Sequence, residues 1–311
     1  MIVSVSRRTD IPAYYVPWLR NRLKEGFALV RNPRNFKRTR FVSLAPGNVD
    51  CFVFWTKDAR PLFGLLDMLD DRGTPYFFQW TVTPYGPDIE PGIAPKADIL
   101  AAFRALSERI GPHRTIWRYD PVFVGDDFPV CRHLEAFERM CASLSGAAGR
   151  CVLSFVDLYA KMSGRGIAET SREDMKRIAG GFAKSAAVHG ISLQTCCEET
   201  DFEEEGIRNG ACIDGVLVER LAGRSLGTKR DRNQRPLCGC AESADIGAYD
   251  TCPAGCLYCY ANRGGTAVRV NTARHNPESP LLAGMPSPDE ERFLAAIRGQ
   301  EKTFDISGLV E

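Results

Sequence analysis

Short apolar runs alternate with longer stretches of helical period along the first two-thirds of the chain. Runs at 2–6, 51–55, 76–83, 115–119, 151–157 and 191–196 predict six strands. Between them, apolar positions spaced three and four apart predict helices over about 13–25, 61–71, 96–110, 130–144 and 171–190. The punctuation agrees: Gly26 and Gly111 follow helix ends, Pro61 opens a helix, Ser171 can cap one and Gly190 can end it. Residues 213–219 read as a candidate seventh strand. Strand–helix repetition predicts an α/β fold with a parallel sheet, and six or seven such units favour a full or partial (β/α) TIM-like barrel over residues 1–223. An open dinucleotide-binding sheet would need a glycine-rich loop after an early strand, and none is present.

The rhythm stops after Leu221. Residues 224–276 mix Gly, Cys, Arg and Asp without an apolar period and are expected to fold around a metal, packed on the barrel. In the tail, 277–311, Ser287 and Glu290 form a capping box with Pro288 at the first helical position, which predicts a helix over 288–298. There is no internal repeat.

The strand ends are polar, and in a β/α barrel chemistry gathers at the C-terminal ends of strands. The first strand runs into Arg7, Arg8 and Asp10, and the second into Lys57. On the third, Gln79, Thr81 and Thr83 share a face, a composition suited to a lined cavity. Arg118 and Asp120 share a face at the end of the fourth; the fifth reaches Ser154 and Asp157, and the sixth reaches Cys196, Cys197 and Glu199. The planar guanidinium forks of Arg7, Arg8 and Arg118 suit a carboxylate or phosphate. Asp10, Asp120 and Glu199 suit hydroxyls or an ammonium. Taken singly, each of these residues fits a structural ion pair at a sheet rim equally well.

Composition narrows the classes. Of 311 residues, 44% are hydrophobic and 25% charged, which is ordinary for a globular protein. A net charge of +1 provides no overall field for nucleic acid or an anionic membrane. No apolar run approaches the ~20 residues of a spanning helix, and the first residues lack the pattern of a secretory signal. A soluble cytoplasmic protein without a membrane partner is expected. Arg31, Arg34, Lys37, Arg38 and Arg40 form a basic run, read as a solvated loop, with a nucleic-acid-contacting rim as the functional alternative. His113, His133, His189 and His275 show no metal spacing and are read as structural or exposed.

Twelve cysteines in a long chain with that N-terminus point to metal rather than disulfides. Cys51, Cys131, Cys141, Cys151, Cys196, Cys197 and Cys212 are scattered, mostly in apolar contexts. The other five cluster: Cys238 and Cys240, then Cys252, Cys256 and Cys259 in a Cys-x3-Cys-x2-Cys pattern. Three thiolates are one short of a closed tetrahedral zinc site and suit a four-iron cluster with one iron open. Cys238 and Cys240 could ligate a second metal, with Cys196 or Cys197, or complete a zinc site with two downstream thiols, or be packed without a ligand.

The stretch Cys252-x3-Cys256-x-Tyr258-Cys259-Tyr260-Ala261 resembles the cluster-binding loop of the radical S-adenosylmethionine enzymes. Its wording is similar to that of the subgroup including spore photoproduct lyase-like proteins. The resemblance implies that the three thiols hold a [4Fe–4S] cluster whose open iron chelates S-adenosylmethionine, with Tyr258 as the aromatic residue before the third thiol. Gln79 and Glu199 are further candidates to contact that cofactor. Those enzymes carry the loop after their first barrel strand, whereas here it follows about seven. The whole chain resembles a narrower bacterial family, domain of unknown function 1848. Ser4-Val-Ser-Arg-Arg-Thr-Asp-Ile-Pro12, Phe54-Trp-Thr-Lys57, Gln79-Trp-Thr-Val-Thr83, Trp117-Arg-Tyr-Asp-Pro121, Cys212-Ile-Asp-Gly215 and Gln234-Arg-Pro-Leu-Cys-Gly-Cys240, running on to Asn262, carry that resemblance.

The expected function is therefore radical S-adenosylmethionine chemistry on a small-molecule or nucleotide-like substrate, with electrons from a donor such as a flavodoxin or ferredoxin. Arg7, Arg8, Asp10, Lys57, Arg118 and Asp120 are the candidate catalytic side chains. A metal-stabilised binding protein, possible partner of nucleic acid, is the alternative. A barrel hydrolase or isomerase using acids such as Asp10 and Asp120 is the third reading.

Overall fold

The computed structural model describes residues 1–159, 162 and 166–298. Its first strand, β1 (Ile2–Val5), is followed by an antiparallel hairpin, β2 (Phe27–Asn32) and β3 (Asn35–Ser43). Seven more strands follow: β4 (Cys51–Thr56), β5 (Tyr76–Thr81), β6 (Thr115–Val122), β7 (Arg150–Phe155), β8 (Ser192–Cys196), β9 (Arg208–Gly210) and β10 (Ala244–Asp245). All but the hairpin join one eight-stranded sheet in the order β10-β1-β4-β5-β6-β7-β8-β9, with every pair parallel. The α/β class follows directly. Closure does not: the described pairings run from β10 to β9 without joining these ends. One backbone bond crosses there, from Ala241 N–H to the Ile213 carbonyl (2.8 Å).

The connections supply α1 (Ile11–Tyr14), α2 (Val16–Glu25), α3 (Leu66–Asp71), α4 (Lys96–Ile110), α5 (Val130–Leu144), α6 (Arg172–Val188), α7 (Gly215–Ala222), α8 (Gly265–Ala273) and α9 (Pro288–Arg298). Because strand side chains alternate, the sheet has two different faces. Val3, Phe52, Phe54, Phe78, Trp80, Trp117, Tyr119 and Leu153 enter the large core with the helices. Phe137 of α5 and Phe182 of α6 stack there at 3.8 Å. The alternate positions Ile2, Cys51, Val53, Phe77, Ile116 and Val152 form a smaller core on the other face, together with Cys196, Cys212, Cys238 and Cys240. Gln79 and Arg118 occupy alternate positions on that same face by register.

Several expectations need correction. The helix expected over 13–25 breaks at Tyr15, because Pro17 has no N–H to continue the ladder, and Gly26 ends α2 at φ +81°. The basic run is not a loop: it lies in the β2–β3 hairpin, where Phe27 stacks on Phe41 and Phe41 meets Phe293 of α9. Arg31 pairs with Glu290, and the Lys37 side chain lies outside those described. Residues 213–219 are not a strand. Asp214 accepts from the Val216 and Leu217 N–H groups and caps α7, which buries Leu217 and Val218. The last two strands of the sheet are instead β9 and β10, too short and polar for an apolar alternation to announce them. Segment 224–276 thus supplies a sheet strand and α8. The capping box at Ser287 and Glu290 is formed as expected, and residues 299–311 lie outside the description. No described helix is long and apolar enough to cross a membrane.

Candidate functional site

A cavity of about 390 Å³ opens at the C-terminal ends of the strands. Arg7, Arg8, Asp10, Lys57, Arg118 and Asp120 all line it, so the polar strand ends do converge. Cys252, Cys256 and Cys259 line it too, as do Cys196, Cys197, Cys212, Cys238 and Cys240. Two groups of thiols therefore share one cavity.

The loop triplet is held on every side. Tyr15 Oη donates to the Thr251 carbonyl, the Thr251 and Thr9 hydroxyls lie 2.7 Å apart, and Asn262 Nδ2 donates to the Cys252 carbonyl (2.8 Å). Gly92 N–H donates to the Ala254 carbonyl and Leu257 N–H to the Ile89 carbonyl, stitching the loop to the turn after β5. Gly92 is required there: a Cβ would sit 2.7 Å from Ala254 backbone atoms. Cys256 is buried, while Cys252 and Cys259 are half-buried. Burial pushes the Cys252 thiol well up, opposed by hydrogen bonds from the Asp10 and Ala254 backbone. It also pushes Cys256 up to about 12, and the Lys57 ammonium pulls the other way. A bound cation would have to displace these protons, so metal binding here would release protons and strengthen as pH rises.

Behind the triplet sits a buried charge network that sequence reasoning missed. Glu90 receives Lys57 Nζ at 2.8 Å, Lys96 Nζ at 2.5 Å and the Thr83 hydroxyl at 2.6 Å; Tyr258 Oη also donates to it. Burial alone would raise the Glu90 carboxyl, but the two ammonium groups win and hold it at about 2. Asp10 accepts from the Lys57 and Ala13 N–H groups (2.7 and 3.1 Å), and burial still pushes it up to about 6. Asp10 therefore caps α1 and braces the Lys57 backbone beside the cavity.

The other thiols are gathered from three places. Cys196 ends β8, Cys212 lies just beyond β9, and Cys238 and Cys240 precede β10; all four are buried. The sulfur atoms of Cys196, Cys238 and Cys240 lie within 4.8 Å of one another and form a buried group able to hold a metal ion. Cys212 packs beside them in the same buried cluster. The loop triplet is not so closely drawn together. Arg118 Nη1 donates to Cys212 Sγ (2.6 Å) and Nη2 to Asp120, while Arg7 reaches Ser243 (3.2 Å) and lies 3.8 Å from Asp231. Both guanidiniums stack on Trp55, at 5.1 Å for Arg118 and 5.7 Å for Arg7. Trp55 Nε1 is buried with no acceptor among the described residues, a donor left for a ligand in the cavity.

Two candidates are placed differently from expectation. Gln79 is fully buried beneath the cavity, its Nε2 donating to the Cys212 carbonyl (2.6 Å), so it supports the thiol group rather than lining the wall. Glu199 is exposed and absent from the lining. The acid turned inward is its neighbour Glu198, which accepts from Ser154 Oγ (2.7 Å) and Phe155 N–H (3.0 Å), and burial raises it to about 7. His133 is structural: it lies between the Tyr119 hydroxyl and the Phe123 carbonyl.

Residues 2–261 match the sequence model of a family described as domain of unknown function (DUF1848). The chain belongs to that family. The matched span holds the whole eight-stranded sheet and both thiol groups, and ends before α8 and α9. Comparison with curated proteins and with solved structures finds no match.

Proposed function

We propose that this DUF1848 protein is a radical S-adenosylmethionine enzyme in which Cys252, Cys256 and Cys259 hold a [4Fe–4S] cluster. The observation that carries the reading is the partition of the thiols. Cys238 and Cys240 are drawn into a separate group with Cys196 and Cys212, which leaves the cavity-lining loop with three cysteines and no fourth. Three thiols that line one cavity, with no fourth beside them in the loop, fit a cuboidal cluster with one open iron. When bound, such a cluster supplies reductive cleavage of S-adenosylmethionine at its open iron, the chemistry of the enzymes that the loop resembles.

The rest falls to this chain's residues. Lys57, Arg7, Arg8 and Arg118 present four cations to the cavity, suited to the carboxylate of the cofactor and to a small acidic or nucleotide-like substrate. Asp120 and Asp10 supply acceptors for an ammonium or hydroxyl. Tyr258, Tyr260 and Phe155 wall the cavity and help exclude water, which radical chemistry needs. In this reading the sheet is an opened β/α barrel whose strand ends form the mouth. A flavodoxin or ferredoxin supplies the electron in this reading, and a reducing cytoplasm suits the free thiols.

The test is anaerobic. Protein reconstituted without oxygen is expected to carry four iron and four sulfide at the loop, as this cluster requires. Its reduced EPR spectrum should change on adding S-adenosylmethionine, with 5′-deoxyadenosine released under dithionite. A spectrum indifferent to the cofactor and no 5′-deoxyadenosine would overturn the proposal. Zinc in the triplet of native protein would favour the metal-stabilised binding protein.

A further inference from the structure

The second thiol group has a geometry of its own. The sulfurs of Cys196, Cys238 and Cys240 lie within 4.8 Å of one another. Cys212 packs with them in the same buried cluster, and the N–H of Ile213, the next residue, donates to Cys240 Sγ (3.4 Å). Three thiols drawn together with a fourth beside them suit the corners of a small tetrahedron. A single ion with metal–sulfur bonds of about 2.3 Å sets its tetrahedral sulfurs about 3.8 Å apart. A four-iron cube holds its thiolates on separate irons and spreads them wider.

The surroundings complete the match. Four thiolates around a divalent ion leave two negative charges, and they are met on the protein side. Arg118 Nη1 donates to Cys212 Sγ at 2.6 Å, the Ile213 N–H donates to Cys240 Sγ at 3.4 Å, and the Arg7 guanidinium lies close enough to feel both thiols. Around them Ile213, Leu217 and Val218 are buried and apolar, which keeps water from the ion. All four thiols are buried along the cavity wall, and four thiolates fill the coordination of a tetrahedral ion, leaving no position for the solvent ligand that a catalytic zinc retains.

We propose that Cys196, Cys212, Cys238 and Cys240 form a closed tetrathiolate site for one divalent ion of the zinc class, distinct from the loop triplet. Its place in the fold gives the role. The ligands come from the end of β8, the turn after β9 and the segment before β10, and the site lies beside the Ala241–Ile213 bond that bridges the two open ends of the sheet. The ion fastens that seam and, through Cys212, fixes Arg118 at the cavity wall. Its four ligands are not those of the loop cluster, and metal analysis reads the two sites separately.

Metal content of the full chain, purified without oxygen and grown with zinc, tests it. The variant C252A/C256A/C259A is expected to retain one zinc per chain, and C238S/C240S to lose it. Cobalt offered to the triple variant should give the intense sulfur-to-metal absorption of a four-thiolate tetrahedron, which keeps the test open if C238S/C240S does not fold. Three results overturn the proposal: no stoichiometric metal in the triple variant, metal accompanied by sulfide there, or two disulfides among these cysteines in native protein.

Discussion

The two thiol groups of this protein share a cavity and are built in opposite ways. The loop triplet is contiguous, eight residues from Cys252 to Cys259, and its sulfurs are held apart by a backbone bonded to its neighbours at almost every turn. The quartet spans Cys196 to Cys240, comes from three separate segments, and gathers its thiols into one buried cluster. The first is a local device that a short motif can encode. The second exists only when β8, the turn after β9 and the segment before β10 have been brought together. A motif of fixed spacing thus suits an exchangeable reactive centre at a rim, while a site assembled across the sheet's open ends suits a fastening.

The largest expected effect separates the two groups outright. Cys256→Ala should abolish the four-iron EPR signal and 5′-deoxyadenosine release while leaving the quartet's metal in place, as metal analysis of the same preparation would show. Loss of both metals from this variant would merge the two sites into one.

Next comes the network behind the triplet. Glu90→Gln leaves two partly buried ammoniums without their counter-charge; a fully buried pair broken in this way costs about 3–5 kcal/mol, and the partial exposure of the lysines sets the expected loss below that. Chemical denaturation should read that loss. Its pH dependence has a definite sign. The Glu90 carboxyl ordinarily titrates at 4.5 and is held at about 2 in the fold, so its contribution is complete above about pH 4.5 and is lost as pH falls towards 2. The wild-type protein should lose stability over that window more steeply than Glu90→Gln. Equal slopes would mean that the lysines do not hold the carboxylate.

A smaller effect tests the stitching of the loop. Gly92→Ala forces a methyl group against the Ala254 backbone and should cost about 1–3 kcal/mol by overpacking. Its signature is selective: iron is lost from the triplet faster in the presence of a chelator, and the zinc stoichiometry is unchanged. On the opposite side, Arg118→Lys loses the fork that joins Cys212 to Asp120, worth about 1–3 kcal/mol as charged hydrogen bonds. That substitution should shift the cobalt spectrum of the quartet and leave the triplet's EPR line shape alone. An unchanged cobalt spectrum would remove Arg118 from the quartet's surroundings.

Much of the fold was legible because its signals are local. Period-two runs bounded by Gly and Pro located six strands, and α4, α5 and α9 have the bounds their patterns predict. What escaped was structure with little apolar signal or an ambiguous one. β9 and β10 are two or three residues long and depend on neighbours for pairing, whereas 213–219 carries apolar residues that suit either a strand or a helix until Asp214 caps it. The basic run looked like a loop because its cations hide the hairpin alternation of Phe27, Leu29 and Phe41. At the site, strand-end reasoning named six side chains that line the cavity. It missed Glu90, which lies in a loop well beyond the end of β5, and it chose Glu199 over Glu198. Choosing between adjacent residues at a strand end requires knowing which way the chain turns beyond the last pleat.

By itself the sequence determined the α/β class, the polar mouth and the three-thiol loop, since each rests on residue type and spacing within a few turns of chain. Only the tertiary structure decided which thiols keep company. The sequence offers either Cys196 or Cys197 as a partner of Cys238 and Cys240 and leaves Cys212 a scattered small hydrophobe; Cys196 and Cys212 join that pair because parallel strands carry residues far apart in sequence to the same end of the sheet. Whether the sheet closes, how the ends are joined and what faces the cavity all depend on contacts between separate segments, such as Ala241 with Ile213 and Val3 with Ala244. No local pattern encodes such contacts; the packing that buries both faces of the sheet does.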